Sequence, residues 1–356
     1  DWFFDEWLYR GGEPHYKVSW DDVRSSTAGR GTQISITQIQ PRDELSGLFK
    51  MPVEFEVHYT DGSTDRKREW IEKEQHTVVI PNSNNKDISF VLFDPGSRII
   101  KQLTFKKPFA ELKAQVLNAT NMIDRYDALV GLKADSTDIT AKQSLLAQVF
   151  EKEKYAPMRS EVVAQLASEK TSTAYSVLHK AFKNKDVEVR KSAVNGVKGV
   201  PAEFQIDVEN LLKDSSYSVV TTALEKLSEA YPLNIPSYLE TTKNELGMYN
   251  QVNIKWLEIA VANNTSTLAD ARQKLVKYAG PSYEFWTRRN AMNSLKRLNY
   301  CDEKVIDNLV DGMLNPCGRL SAPAQEVLSY FYQQTEFKQK IGKYYGSKQW
   351  KGWQKD

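Results

Sequence analysis

Histidine and cysteine are scarce in this chain. Its 356 residues include four histidines (His15, His58, His76, His179) and two cysteines (Cys301, Cys317). No two histidines lie within a helical turn and none is followed by glutamate, so the H-E-x-x-H arrangement that puts two zinc ligands on one helix face is missing. The cysteines are sixteen residues apart, which fits neither a C-x-x-C metal or redox motif nor a disulfide framework. The expectation for both is that of small buried hydrophobes. Charge of one sign is also lacking. Lys+Arg is 48 against 46 Asp+Glu, a formal charge of +2, where a dedicated nucleic-acid binder concentrates positive charge. No apolar run approaches the ~18 residues that span a bilayer, and the first residues show no cationic and apolar leader pattern. G-x-G-x-x-G, P-loop and G-x-S-x-G signatures are absent, which removes support for dinucleotide, phosphate-loop and α/β-hydrolase chemistry.

The patterning present falls into two regimes that change near Phe105–Phe109. Before that point the apolar period is two. Residues 33–40, 53–59, 69–72, 76–80, 88–93 and 98–105 read as short strands, with turn signals at Asp61-Gly62 and Asp94-Pro95-Gly96. Short, closely spaced strands predict a small β-sandwich over 14–107. Arg66-Lys67-Arg68 reads as a charged strand edge that discourages edge pairing. Ahead of the strands, Trp2-Phe3-Phe4-x-x-Trp7-Leu8 has helical apolar spacing and is stopped by Gly11-Gly12-x-Pro14. Residues 1–13 therefore read as a terminal helix of something upstream, its apolar face either left without its partner or packed on the sandwich.

From Pro108 onward the pattern is helical. Ala128, Val162, Ala193, Ala223, Leu257, Ala291 and Ala324 occupy equivalent places in similar segments, at successive spacings of 34, 31, 30, 34, 34 and 33. Apolar runs at 144–150, 175–182 and 208–212 lie between them. A two-helix unit repeated in this way predicts an α-solenoid over 108–356 in which neighbours bury each other's apolar stripe, similar to HEAT repeats. The fold class is thus multidomain β plus α, a small β-sandwich followed by an all-α HEAT/ARM-like superhelix. Two further groups stand out. Arg288-Arg289 beside Trp286 could hold a carboxylate, or serve as structural pairs to loop carbonyls. Lys338, Lys340, Lys343, Lys348, Lys351 and Lys355 interleave with Tyr344, Tyr345, Trp350 and Trp353. That interleaving can bind single-stranded nucleic acid but reads better as a last amphipathic helix with a basic outer face.

Several stretches carry a resemblance. Phe3-Phe4-x-x-Trp7-Leu8-x-x-x-Gly12-x-Pro14, then Val91-Leu92-Phe93-Asp94-Pro95-Gly96 with Ile99-Ile100-Lys101 and Phe105-x-Lys107, then Glu111-Leu112-x-x-Gln115-Val116-x-x-Ala119 through Arg125-x-x-Ala128, resemble in order the C-terminal half of the aminopeptidase N family of zinc metallopeptidases. The resemblance implies a β-sandwich and a helical repeat domain that wall off the active-site cavity and restrict peptide access. The family's H-E-x-x-H helix and G-x-M-E-N motif do not occur here and, by its domain order, would lie upstream of Asp1. No catalytic, cofactor-binding or metal-binding residue is therefore assigned in this chain. Zinc is expected only in that catalytic domain, and the partners expected are that domain and peptide substrates, with no nucleic acid and no membrane span. The chain alone is expected to be inactive, as part of a zinc-dependent aminopeptidase. The rival reading is the scaffold region of a catalytically degenerate relative, a solenoid's concave face being a natural protein-binding surface. A free-standing HEAT-like adaptor fits the amphipathic Trp2–Leu8 stretch less well.

Overall fold

The structure is a computed structural model that describes residues 2–25, 29–134, 138–263 and 268–347, the side chains of 25, 268, 269 and 345–347 excepted. Seven strands form two sheets. They are β1 (His15–Ser25), β2 (Gly29–Gln38), β3 (Met51–Tyr59), β4 (Thr64–Ile71), β5 (Gln75–Pro81), β6 (Ile88–Phe93) and β7 (Gln102–Phe105). One sheet has the order β5-β2-β1-β7 and the other β4-β3-β6. All pairings are antiparallel except β1 with β7, so the first sheet is mixed.

Alternation explains the core. Inward residues of the first sheet (Tyr16, Val18, Ile34, Ile36, Val78, Ile80) and of the second (Val53, Phe55, Val57, Val91, Phe93) belong to one buried cluster. β4 is an edge strand, as the Arg66-Lys67-Arg68 run predicts, with Arg66 paired to Glu56 and Lys67 to Glu69. The structure adds β1, which lies inside its sheet and which the alternation reading did not single out. Its apolar phase, Tyr16-x-Val18-x-Trp20, is broken by Asp21-Asp22. Asp22 instead takes the Arg30 guanidinium across the strand pair at 2.9 and 2.7 Å.

The expected strand over 98–105 shortens to β7. Asp94 and Ser97 adopt left-handed φ values of 54° and 51°, and the Asp94 carboxylate binds the Ile99 N–H (3.1 Å) and the Lys101 ammonium (2.5 Å). Those contacts tie Ile99 and Lys101 to the turn before they can join a ladder. The Asp124 carboxylate accepts the Gly96 N–H from outside and completes the clamp.

The helices are α1 (Trp2–Phe4), α2 (Phe109–Asn118), α3 (Met122–Leu132), α4 (Ile139–Lys152), α5 (Ala156–Leu166), α6 (Ser172–Phe182), α7 (Val187–Gly196), α8 (Gln205–Asn210), α9 (Tyr217–Ala230), α10 (Ile235–Thr242), α11 (Gln251–Ala262), α12 (Leu268–Tyr278), α13 (Phe285–Arg297), α14 (Glu303–Met313), α15 (Gly318–Tyr332) and α16 (Thr335–Ser347). The seven repeated positions fall one each on α3, α5, α7, α9, α11, α13 and α15, and all seven side chains are buried. α9 packs on α7 and α11, and α13 on α11 and α15. No described helix is long and apolar enough to cross a membrane.

The expected terminal helix is a single α-turn, α1, that opens into a π-turn over Asp5–Tyr9. Trp2 and Trp7 both pack against the β core. Their spacing of five matches the i→i+5 period of a π-turn, where an α-helix would rotate them apart. The segment ends as predicted at the glycines: Gly12 has φ +79°, and a Cβ there would stand 2.7 Å from Ser46 Oγ.

The chain divides into two compact units, Asp1–Leu166 with Thr171–Ala174, and Ala167–Lys170 with Tyr175–Asp356. Helices α2–α5 thus belong with the strands.

Candidate functional site

Three of the four histidines are held individually. His15 Nε2 bonds Thr104 Oγ1, His58 lies between Glu56 and Thr64 and stacks on Phe90, and His179 Nδ1 bonds Asp207. Among the described residues no three His, Cys, Asp or Glu side chains are grouped so as to hold a metal ion. Cys301 is buried, as expected, but Cys317 is exposed, and both are free thiols. Cys317 is the N-cap residue of α15, at a helix end that reaches the surface.

The Arg288-Arg289 pair divides its roles. Arg288 is buried and donates to Ala279 O, Asn308 O and Asp311 Oδ2. Arg289 instead lies over the Trp286 ring at 4.9 Å. The Arg288 pattern recurs along the helices. Arg125 binds Ala119 O, Thr120 O and Glu153, and Arg190 binds Asn184 O, Lys185 O and Asp214. Arg125 and Arg190 each cap two carbonyls just ahead of their own helix, whereas Arg288 takes one ahead of α13 (Ala279 O) and one on α14 (Asn308 O); all three pair with a carboxylate some two dozen residues downstream. The structural alternative named for this arginine position is the one the geometry takes. On α16, Phe337, Ile341 and Tyr344 are buried, while Lys340 pairs with Glu336 and Lys338 lies over Tyr332. Lys348, Lys351, Lys355, Trp350 and Trp353 lie outside the described residues, as does the side chain of Tyr345.

Two features of the first unit do concentrate chemistry. One is a cavity of about 510 Å³ bordered by Asp94, Lys101, Lys107, Gln115, Asp124 and Asp127. Glu111 of α2 accepts the Trp20 Nε1–H and the Val91 N–H. The Lys107 ammonium donates to Val91 O and Gln115 Oε1 and lies 3.6 Å from Glu111. Burial lowers the Lys107 pKa to about 8, against the pull of Glu111, Asp124 and Asp127. With three acceptors around it this amine is a tie between α2 and β6, not an accessible nucleophile. The apolar period did not mark these positions as partners, because Glu111 and Gln115 read as ordinary surface residues of a helix.

The other is the N-terminal segment. Trp2 and Trp7 face the β core, Trp2 standing edge-on to Trp70 at 5.1 Å. Glu6 is buried, bonded to the Lys50 N–H, and its pKa is raised by desolvation. The opposite side presents Phe3, Phe4, Leu8 (65% exposed) and Tyr9 (75% exposed) to solvent, with exposed Leu45 beside Gly11 and exposed Ile100 sharing a cavity border with Phe3. An apolar group of this kind on a folded surface marks an interaction site more often than chance exposure.

No protein-family description and no curated protein matches the chain. Solved structures do. An aminopeptidase A from Legionella pneumophila, in complex with aspartic acid, is 14% identical with a TM-score of 0.47 over 95% of this chain and 47% of that one. The complex of CpcE and CpcF of phycocyanin lyase from Nostoc is 14% identical with a TM-score of 0.39, over 68% and 94%. A mutant of Kap121p is 12% identical with a TM-score of 0.46, over 67% and 30%. The chain spans about half the length of the Legionella protein.

Proposed function

We propose that this chain is a non-catalytic part of a larger aminopeptidase N-like protein, in which its strands form a β-sandwich and its helices a HEAT-like solenoid that together limit which peptides reach a zinc-bearing catalytic domain. The observation that carries this reading is the two-sided N-terminal segment. Its tryptophans and Glu6 seat it on the β region, while Phe3, Phe4, Leu8 and Tyr9 remain uncovered. A segment built this way suits the junction between two domains, one already in place and one still to be packed. The ordered motifs from Phe3 to Ala128 that resemble the family favour its catalytic domain as the partner. The recurring arginine clamps and the buried apolar residues at equivalent places on alternate helices support a repeat architecture.

The test has two arms. The purified chain, incubated with alanyl-, leucyl- and arginyl-p-nitroanilide, is expected to show no turnover above buffer and no stoichiometric zinc by elemental analysis. Turnover or one bound zinc per chain overturns the reading. Replacing Phe3, Phe4 and Leu8 together by serine is expected to leave the melting temperature of this chain within a few degrees, since the side chains are already wet, and to abolish its co-purification with a co-expressed aminopeptidase N-like catalytic domain. Undiminished co-purification removes the segment as the docking surface.

A further inference from the structure

A cavity that none of these readings uses lies in the second unit, beside α12 and α14. It is about 430 Å³ and is bordered by Lys277, Ser282, Tyr300, Asp302, Lys304 and Asn308, with Val276 and Pro281 as apolar wall. That size is within the range of small-ligand sites, about 300–1,000 Å³. Lys304 and Asn308 are one turn apart on α14, hence on one face.

Asn308 is the informative residue. It is 2% exposed, and its Nδ2 donates to Val276 O at 2.8 Å. That bond sets the amide orientation and leaves Oδ1 as an acceptor, to which no hydrogen bond runs among the described residues. Asn308 borders the cavity, so this oxygen is placed to accept from a ligand there. Gly280 keeps the approach open, since a Cβ there would stand 3.2 Å from this oxygen. A second acceptor is Asp302, whose carboxylate caps α14 through Val305 N–H and takes the Tyr300 hydroxyl at 2.8 Å. The opposite charge comes from Lys277, unpaired among the described residues, and Lys304, whose nearest carboxylate is Asp307 at 3.9 Å. Arg272 lies over the Tyr300 ring at 5.4 Å.

The lining therefore offers ammonium groups for an anion and fixed acceptors for an N–H, next to an apolar wall. A fully anionic ligand such as phosphate would meet Asp302 and the Asn308 oxygen with the wrong sign. A purely cationic one would meet the two lysines. We propose that this cavity binds a free α-amino acid with an apolar side chain, its carboxylate toward Lys277 and Lys304, its amino group toward Asn308 Oδ1 and Asp302, and its side chain on Val276, Pro281 and the Tyr300 ring. This site does not depend on the function proposed above.

Isothermal titration of the full chain tests it, with L-leucine, L-leucinamide (no carboxylate) and 4-methylpentanoate (no amine). Leucine is expected to bind with a Kd of about 1 mM, as a small ligand with two charge contacts would. Each analogue is expected to bind at least about tenfold more weakly. The double variant Lys277→Gln/Lys304→Gln, at two exposed positions, is expected to keep its melting temperature and lose leucine affinity by about tenfold or more. The proposal is overturned by absence of saturable leucine binding up to about 20 mM, by an analogue that matches leucine, or by a double variant that binds leucine like the parent.

Discussion

At the scale of single residues, the strongest consequences come from buried groups whose protonation burial has shifted. Lys107 titrates near 8 in the folded chain, against about 10.5 when unfolded. Between those values the unfolded state binds the extra proton, so this group makes stability rise with pH, by up to roughly 3 kcal/mol across the window. Cys301 works in the opposite sense. Burial pushes its thiol up to about 12 from an ordinary value near 9, so above pH 9 the unfolded chain loses the proton first and stability falls. Lys107→Met isolates the first effect. Its urea midpoint is expected to lie below that of the parent by a margin that widens from pH 8 to pH 10, and a margin constant across that range would refute the assignment. The thiols differ in reactivity for the same reason. Iodoacetamide at pH 8 is expected to alkylate exposed Cys317 in the native chain and Cys301 only after urea is added, read by peptide mass spectrometry. Rapid native labelling of Cys301 would show that its pocket opens locally.

At the scale of elements, the arginine clamps explain how short helices with degenerate sequences keep their ends ordered. The loop before a helix leaves carbonyls without partners; Arg125 and Arg190 each satisfy two of them and Arg288 one, and Arg288 also reaches a carbonyl of α14, while all three pair with a carboxylate downstream. Two neighbouring residues separate clamp from surface. Arg288→Ala removes the buried donor shared by Ala279 O, Asn308 O and Asp311 and is expected to cost about 2–3 kcal/mol. Arg289→Ala loses only its position over Trp286, worth under about 1 kcal/mol. Equal losses in calorimetry would remove the distinction. The period-four pattern that located alternate helices was legible because Ala193, Ala223 and Ala291 repeat a local steric demand. β1 was less legible, since Asp21 and Asp22 interrupt its apolar phase and Asp22 finds its partner on another strand. The strand expected from Arg98 lost its first four residues to the Asp94 side chain, a contact that no periodicity displays. The candidate sites were legible only in part: Arg288-Arg289 stood out by type, but which of the two is buried depends on α14. The Asn308 cavity is built from residues of α12, α14 and the loops before α13 and α14 that are unremarkable in any one segment alone.

At the scale of the whole molecule, the chain divides into two compact units, each with a buried apolar cluster of its own. The β core runs from Tyr16 to Phe93 within the first compact unit, and a helical core runs from Ile254 to Tyr344 within the second. Buried apolar contact is the main source of cooperativity, so groups that do not share a core need not melt together. The ties named above are distributed accordingly: Lys107 and Glu111 join α2 to the β region in one unit, and Arg288 joins α13 to α14 in the other. Urea unfolding followed by circular dichroism and tryptophan fluorescence is therefore expected to resolve two transitions. Lys107→Met should shift one and leave the other in place, and Arg288→Ala should do the converse, because substitutions in separate cores add without coupling. The double variant should show both shifts at their single-variant sizes to within about 0.5 kcal/mol. If one transition fits both probes and either substitution displaces the entire curve, the two units fold as one cooperative body and the clamps at α2 and α13 stabilise a common core.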